Sequence, residues 1–402
     1  MNVLGIVAEY NPFHNGHLWH MQQAMQLCGA SYCIVAMSGN FVQRGEPACA
    51  DKYTRAEWAV TCGADLVLEI PSVFCLSSAE RFASGAVKTL ASTGVVTHLA
   101  FGCELADLAA LSYIANFMDN ETPAFKQALN SNLAAGLSYP QAKHRALASA
   151  GLGAKYLNAL TRPNNILAVE YIRCINRLGL DIKLIPIQRE SCEHSDTELS
   201  GVVSSASAIR LALSAHNPAV YEALPSPTAL SLQFNASLPI TLETTEQLML
   251  YKLRTMPPAD IAKLPDVTEG FENVLSREAA RCADAETFFA ACKNRRYTMA
   301  RVKRICMCAI LDISRDLADE MSLTTRNLYM KILARRRSAV SLVSAISSIS
   351  PIPLLHRNSD AINCSSAAKA SLAVDALSTD VLAIATREDL HRDSQGPLVI
   401  NM

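Results

Sequence analysis

The hydrophobic pattern opens with Asn2 to Ala8 (NVLGIVA), a short apolar run bounded by turn residues, which predicts a buried parallel strand. Leu18, Met21, Met25 and Cys28 then recur at helical spacing, and Gly29 stops that helix. Ser31 to Met37 predicts a second strand, ending in the turn Ser38-Gly39-Asn40. Asp51 to Cys62 is helical and closed by Gly63, and Asp65 to Ile70 is a third strand. A helix from about Ser78 to Ser92 and a fourth strand, Thr97 to Phe101, follow. Three helical stretches between about Leu105 and Ala150 interrupt the alternation. It resumes with a helix from Pro163 to Leu178, a strand from Asp181 to Gln188 and a helix starting near Ser205 to Ser207. Strands alternating with helices in this way predict an α/β fold, a doubly wound parallel sheet with right-handed crossovers.

The segment 217–239 is rich in Pro and Ser and predicts a domain boundary. It divides the chain into residues 1–220, which carry the sheet, and residues 221–402, which are mainly helical to about Leu355. The tail then mixes short helices with a final strand, Pro397 to Ile400. Half of the 402 residues are hydrophobic, which supports a sizeable core, and the net charge of -1 gives no global case for nucleic acid. The 13 cysteines are scattered and form no C-x-x-C element, so reduced thiols are expected and no metal site is assigned. No signal peptide and no apolar run of about 18 residues occurs. The expected setting is cytoplasmic, with no membrane partner.

Candidate chemistry begins at His14-Asn15-Gly16-His17, placed directly after the first strand and directly before a helix. Free backbone N–H groups and the helix dipole favour an anion there, the imidazoles add donors, and Gly16 removes a Cβ from the path of a phosphate. Such donors suit adenylyl transfer, where charge grows on the α-phosphate of ATP and no protein nucleophile is needed. A second element, Ser204-Ser205-Ala206-Ser207-Ala208-Ile209-Arg210, reads either as a plain capped helix or as donors to the β- and γ-phosphates. The P-loop-like Gly85-Ala86-Val87-Lys88-Thr89 lacks the glycine before its lysine and falls within a helix, so it is set aside.

The loop from Ser38 to Pro47 leaves the carboxyl end of the second strand, where open sheets place substrate loops. Its Gln43 and Arg44, with Lys52 beyond, are either solvated or ligands for a carboxylate, pyrophosphate or RNA backbone. In the second half, Lys293 to Arg304 holds six basic residues and Tyr297 with no acid, a second candidate contact to RNA. Arg295, Arg296, Arg301, Lys303 and Arg304 carry that reading, with Tyr297 for stacking. Arg335-Arg336-Arg337 forms another basic cluster.

The stretches GIVAEYNPFHNGHL, MSGNFVQRGEPA, DKYTRAE, GADLVLEIP, FGCE, RPNNILAVEYI and RRYTMARVKR together resemble the tRNA(Met) cytidine acetate ligase family. The resemblance implies a nucleotidylyltransferase-like (Rossmann-like) domain with a helical tRNA-binding domain. It implies an enzyme that forms acetyl-adenylate from ATP and acetate. The acetyl group then passes to N4 of the wobble cytidine of elongator tRNA(Met). Carried over by motif, ATP binding falls on Val7, Ala8, Glu9, Tyr10, Asn11, Pro12, Phe13, His14, Asn15, Gly16, His17, Leu18, Trp19 and His20. Gly102, Asn164 or Asn165, and Arg189 complete it, with His14 and His17 at the reacting phosphate. Mg²⁺ is expected with the triphosphate, and no general base is nominated. After Arg189 the chain departs from the family, with Glu190-Ser191-Cys192-Glu193-His194-Ser195-Asp196 where a glycine-bearing, aromatic-containing loop is usual. The alternative is an H-x-G-H adenylyltransferase that joins AMP to a phosphorylated metabolite, which needs no large basic helical region. A third is a binding module that uses ATP only to set its conformation.

Overall fold

The apolar runs VLGIVA, YCIVAMS and LVLEI become three adjacent strands, each with backbone paired on both sides. The computed structural model describes residues 2–189, 198–199, 201–235, 237–268 and 270–401. We number the strands of its main sheet β1 (Val3–Ala8), β2 (Tyr32–Ser38), β3 (Leu66–Ile70), β4 (His98–Cys103), β5 (Lys183–Gln188), β6 (Met330–Arg336) and β7 (Leu398–Ile400). Their order is β7-β6-β3-β2-β1-β4-β5, and Leu354–Leu355 adds a short strand beside β6. All neighbours run parallel except β3 with β6. β1 pairs with β2 on one side and β4 on the other, so the chain reverses its direction of winding between β1 and β4. In open sheets the ligand crevice lies at that reversal, beyond the carboxyl ends of the strands.

The expected parallel core is present, with crossover helices at Asn15–Cys28, Lys52–Thr61, Ala79–Ser92 and Pro163–Leu178. Asp51 and Ser78 cap the second and third of these, accepting hydrogen bonds from backbone N–H groups of the first turn. Helices at Leu108–Asp119, Pro123–Ala134, Tyr139–Ser149 and Ala154–Ala159 fill the interval between β4 and Pro163–Leu178. The described cysteines are free thiols. No helix among the described residues is long and apolar enough to cross a membrane.

The division at about residue 220 does not coincide with the sheet. Segment 217–239 is no linker: Val220, Ala223, Leu224 and Leu232 lie in the same buried cluster as Leu4, Phe13 and Trp58. Beyond it, Met330–Arg336, expected as helix, is instead β6 and adds to the outer side of β3. A short apolar run fits either state by periodicity, and Lys331 within it obscures a strand that is buried on both faces. The tail holds the expected short helical turns, at Asn358–Asn363 and Arg392–Ser394, but also one helix of 21 residues, Ser366–Thr386, before β7 closes the edge. Arg335-Arg336-Arg337 therefore straddles the end of a strand. Arg336 pairs with Asp65 at 3.5 Å, and only Arg337 of the three is exposed.

Buried charges join the late strands to the early ones. Lys52, with no exposed surface, meets Glu69 at 2.8 Å and Asp393 at 2.9 Å. Lys331 also meets Asp393, while Asp375 accepts from Ser72 N–H at 2.8 Å and from the Tyr329 hydroxyl. Burial disfavours the Lys331 cation and, aided by the Lys52 charge, holds its pKa down to about 7. Removing one partner of such a group leaves an uncompensated buried charge, which costs about 3–5 kcal/mol. Lys52→Met is expected to destabilise the protein by about that amount in denaturant unfolding. Adding Glu69→Met to it is expected to recover part of the loss.

Candidate active site

β1 ends at Ala8, and the chain crosses the head of the sheet before helix Asn15–Cys28 begins at its N-cap, His14. Apolar side chains fix this crossing: Phe13 has no exposed surface, and Tyr10 packs edge-on against Phe13 and His17 at centroid distances of 4.6 and 5.0 Å. Tyr10 takes a left-handed backbone (φ 47°), a conformation costly for an aromatic residue and retained where surroundings enforce it. Asn11 accepts the Cys49 N–H at 2.7 Å, and Asn15 donates to the carbonyls of Val202 and Glu222. Asn11 and Asn15 thus brace the turn.

The His14 and His17 rings stack at 3.7 Å, and the His14 N–H donates to His17 Nδ1 at 3.3 Å. A Cβ on Gly16 would stand 3.0 Å from His14 Cε1, so glycine is what lets this ring lie over the turn. Both ring nitrogens of His14 and Nε2 of His20 are buried without a hydrogen-bond partner. Orphaned buried donors are uncommon and call for an explanation, here a ligand. Burial, reinforced by the Arg189 charge, depresses the pKa of His14 to about 3 and of His20 to about 4. His17 is lowered as well, by burial and then by its neighbour His14. All three rings are therefore neutral at neutral pH.

Two arginines flank the rings. Arg189, exposed, follows β5 and its N–H donates to Cys103 O at 2.9 Å. Its aliphatic stem would lie 3.2 Å from a Cβ on Gly102, and His20 would lie 3.7 Å from the same point. Gly102, His20 and Arg189 thus share one side of the crevice. Arg210 comes from helix Ala206–Ser214, which is capped by Ser205, and donates to Asn11 O at 2.7 Å. A helix N-terminus, unpartnered neutral imidazoles of His14 and His20 and two guanidinium groups form an arrangement suited to an anion.

The consecutive asparagines have different tasks. Asn165 is buried; its Oδ1 accepts the N–H groups of Glu104 and Leu105, and its Nδ2 donates to Ala159 O. Asn164 is half-buried and donates to the Glu104 carboxylate at 2.7 Å. Asn165 therefore shapes the loop after β4, and Asn164 is the more accessible of the two. Val7 and Ala8 are half-buried at the strand end, Leu18 packs against the core, and Trp19 is exposed. Glu190 to Asp196 lie outside the described residues.

Several proposed RNA contacts are corrected by burial. Lys52 lies in the ionic network and reaches no RNA. Tyr297 is also buried, stacked on Phe271 at 3.6 Å with its hydroxyl donating to Thr268 O at 2.7 Å, so it has no open face for a base. Arg301 lies over the Tyr297 ring and donates to Asp266 O, while Arg304 pairs with Asp266 at 3.7 Å. Lys303 pairs with Glu46. Arg44 is exposed on its loop, and Arg295, exposed, and Arg296, half-buried, line a groove of about 390 Å³ with Gly136, Gly270 and Asn294. Residue type gave these side chains their chemistry, but only packing shows which of them face outward.

The loop 41–47 bridges the two regions. Gln43 donates from its backbone to Glu9 and from its side chain to Ser77 O. Gly45, at φ 80°, lies so close to helix Met299–Ile310 that a Cβ would fall 2.4 Å from the Arg304 backbone nitrogen. The strand end that leads into the histidine turn thus touches this loop through Glu9 and Gln43, and the loop packs on helix Met299–Ile310 at Gly45.

A family model described as HIGH Nucleotidyl Transferase matches residues 1–396. A tRNA(Met) cytidine acetate ligase of Acetivibrio thermocellus is 35% identical over 393 residues, 95% of this chain and 94% of the relative. One from Syntrophomonas wolfei is 39% identical over 79% of this chain and 77% of its own. Crystal structures of Thermotoga maritima TmcAL, apo and with alpha-thio ATP, superpose with TM-scores of 0.93 and 0.92 at 30% and 29% identity, over the full length of both chains. This chain belongs to the tRNA(Met) cytidine acetate ligase family of HIGH nucleotidyl transferases.

Proposed function

We propose that the protein joins acetate to ATP as acetyl-adenylate and transfers the acetyl group to N4 of the wobble cytidine of elongator tRNA(Met). The observation that carries this reading is the set of buried, unpartnered and neutral imidazole nitrogens at a helix N-terminus, with Arg189 and Arg210 beside them. An acetate oxygen attacks the α-phosphorus, and pyrophosphate departs. Charge grows on the phosphoryl oxygens, where His14 and His17 donate without reorganising and Arg210 draws the leaving group. Gly102 and Asn164 border the adenosine side, and Arg189 closes over it. If Mg²⁺ accompanies the triphosphate, phosphate and water would supply most of its ligands, because no group of three His, Cys, Asp or Glu among the described residues would cage it. Bound there, it would offset charge on the triphosphate alongside Arg210.

Arg44 on loop 41–47 and Arg295 just before helix Met299–Ile310 are exposed, which favours RNA over a small phosphorylated metabolite as the acceptor. Arg44, Arg295 and Arg296 are assigned to the RNA backbone. The same reading places the protein in the cytoplasm with its tRNA.

Incubation with ATP, acetate and elongator tRNA(Met) is expected to yield N4-acetylcytidine in the digested tRNA by mass spectrometry. Adenylation of a phosphorylated metabolite in its place, with acetate inert, would move the assignment to the small-molecule class. His14→Ala and His17→Ala are each expected to lower acetate-dependent ATP–pyrophosphate exchange by about 10²–10³-fold, the range for losing a preorganised donor. Arg44→Ala with Arg295→Ala is expected to weaken tRNA binding and flatten its salt dependence by about two phosphate contacts, with exchange retained. Equal loss of binding and exchange would refute that separation.

A further inference from the structure

Acyl transfer to an amine releases a proton, and none of the site groups above takes it up. The lowered pKa values of His14, His17 and His20 make these rings poor proton acceptors, and arginines do not accept protons. Glu9 is the first residue after β1, half-buried at the head of the sheet. Its Oε1 accepts the Gln43 N–H at 2.8 Å, so the carboxylate is anchored to the loop that rests on the basic helix. The same residue is five positions before His14. It therefore stands where the nucleotide turn meets the surface assigned to RNA.

We propose that Glu9 is the general base of the transfer half-reaction, an assignment that rests on the proposed function. The cytosine N4 attacks the carbonyl carbon of acetyl-adenylate and the new C–N bond forms. The bond from that carbon to the phosphate oxygen breaks, and AMP leaves with its electron pair. The surplus N4 proton passes to a carboxylate oxygen of Glu9 and then to water. General base catalysis needs a carboxylate that is ionised at working pH yet more basic than a solvated one.

The surroundings supply both conditions. Burial raises the Glu9 pKa above the ordinary carboxylate value, and the Gln43 N–H, Arg210, Arg44 and Arg55 oppose it and keep the ionised form within reach. Tyr171 from helix Pro163–Leu178 and Cys75 from the short helix Ser72–Cys75 also face this charge, and both are held protonated by burial. Because the folded pKa is raised, the carboxylate is protonated as pH falls, and transfer slows on that acid limb. Adenylation, which uses no base, lacks the limb.

The test compares two readouts on the full chain with ATP, acetate and elongator tRNA(Met). One is acetate-dependent ATP–pyrophosphate exchange; the other is single-turnover acetyl transfer to the tRNA. Glu9→Gln retains an oxygen for the Gln43 N–H. It is expected to slow transfer by about 10²–10⁴-fold, the range for a positioned base, to lower exchange far less, and to abolish the acid limb. Glu9→Asp is expected to restore part of the transfer rate and the limb. Equal losses in exchange and transfer, undiminished transfer, or an acid limb that persists in Glu9→Gln would each overturn the assignment. Should Glu9→Gln fail to fold, Glu9→Asp decides by the same ratio of transfer to exchange. Wild-type protein that forms acetyl-adenylate but never acetylates RNA would overturn the proposed function itself, and is recognised without any variant.

Discussion

The site depends on one buried guanidinium. Arg55, with no exposed surface, donates to the carbonyls of Ala50 at 2.9 Å, Glu9 at 2.5 Å and Ser38 at 3.1 Å, and to that of Gly39. These carbonyls lie at the end of β2 and in the segments that follow β1 and β2 at the head of the sheet. A fork of five donors suits such convergent acceptors, whereas a lysine would offer one point charge. Burial lowers the Arg55 pKa, with Glu9 and Asp51 among the charges that offset this. The guanidinium thus holds the histidine turn and the loop after β2 in one relation to each other.

The same helix extends that constraint in a second direction. Asp51 caps it, Lys52 opens it, and Lys52 N–H donates to Asn40 Oδ1 at 2.7 Å. Asn40 in turn donates to Thr379 Oγ1 at 2.9 Å, on the long helix near the end of the chain. Loop position is therefore set by groups more than three hundred residues apart in sequence. Hydrogen-bonded charge inside a core is a weak source of stability but a strong source of register, because any misplacement leaves a charge unpaired.

Much of this architecture was legible in the chain. β1 to β5 are short apolar runs between turn residues, and their alternation with helices leaves few topologies open. The His14 turn was legible because histidine and glycine at that spacing have a chemical purpose between a strand and a helix. β6 was not, since Lys331 is tolerated there only because Asp393, sixty-two positions later, comes to meet it. Lys52 and Tyr297 were misread for a related reason: a cationic or aromatic side chain signals what it can bind, and its burial is decided by distant packing. Asn164 and Asn165 were inseparable as letters, but a helix points consecutive residues about 100° apart, Asn165 into the loop after β4 and Asn164 onto the Glu104 carboxylate. Glu9 lay within the recognised segment, yet nothing marked its carboxylate until Gln43 was seen to anchor it.

The position of β6 and β7 in the sheet bears on the order in which the molecule is built. β3 is flanked by β2, made early, and by β6, which leaves the ribosome only after some 260 further residues. Until then the growing chain presents a bare strand edge, the kind of surface that recruits unwanted partners. Lys52 and Glu69, without Asp393, have an incomplete cage over the same interval. The half of the sheet that carries the histidine turn, although encoded first, is finished last, because its flanking strand and the partner of Lys52 come from the final quarter of the chain.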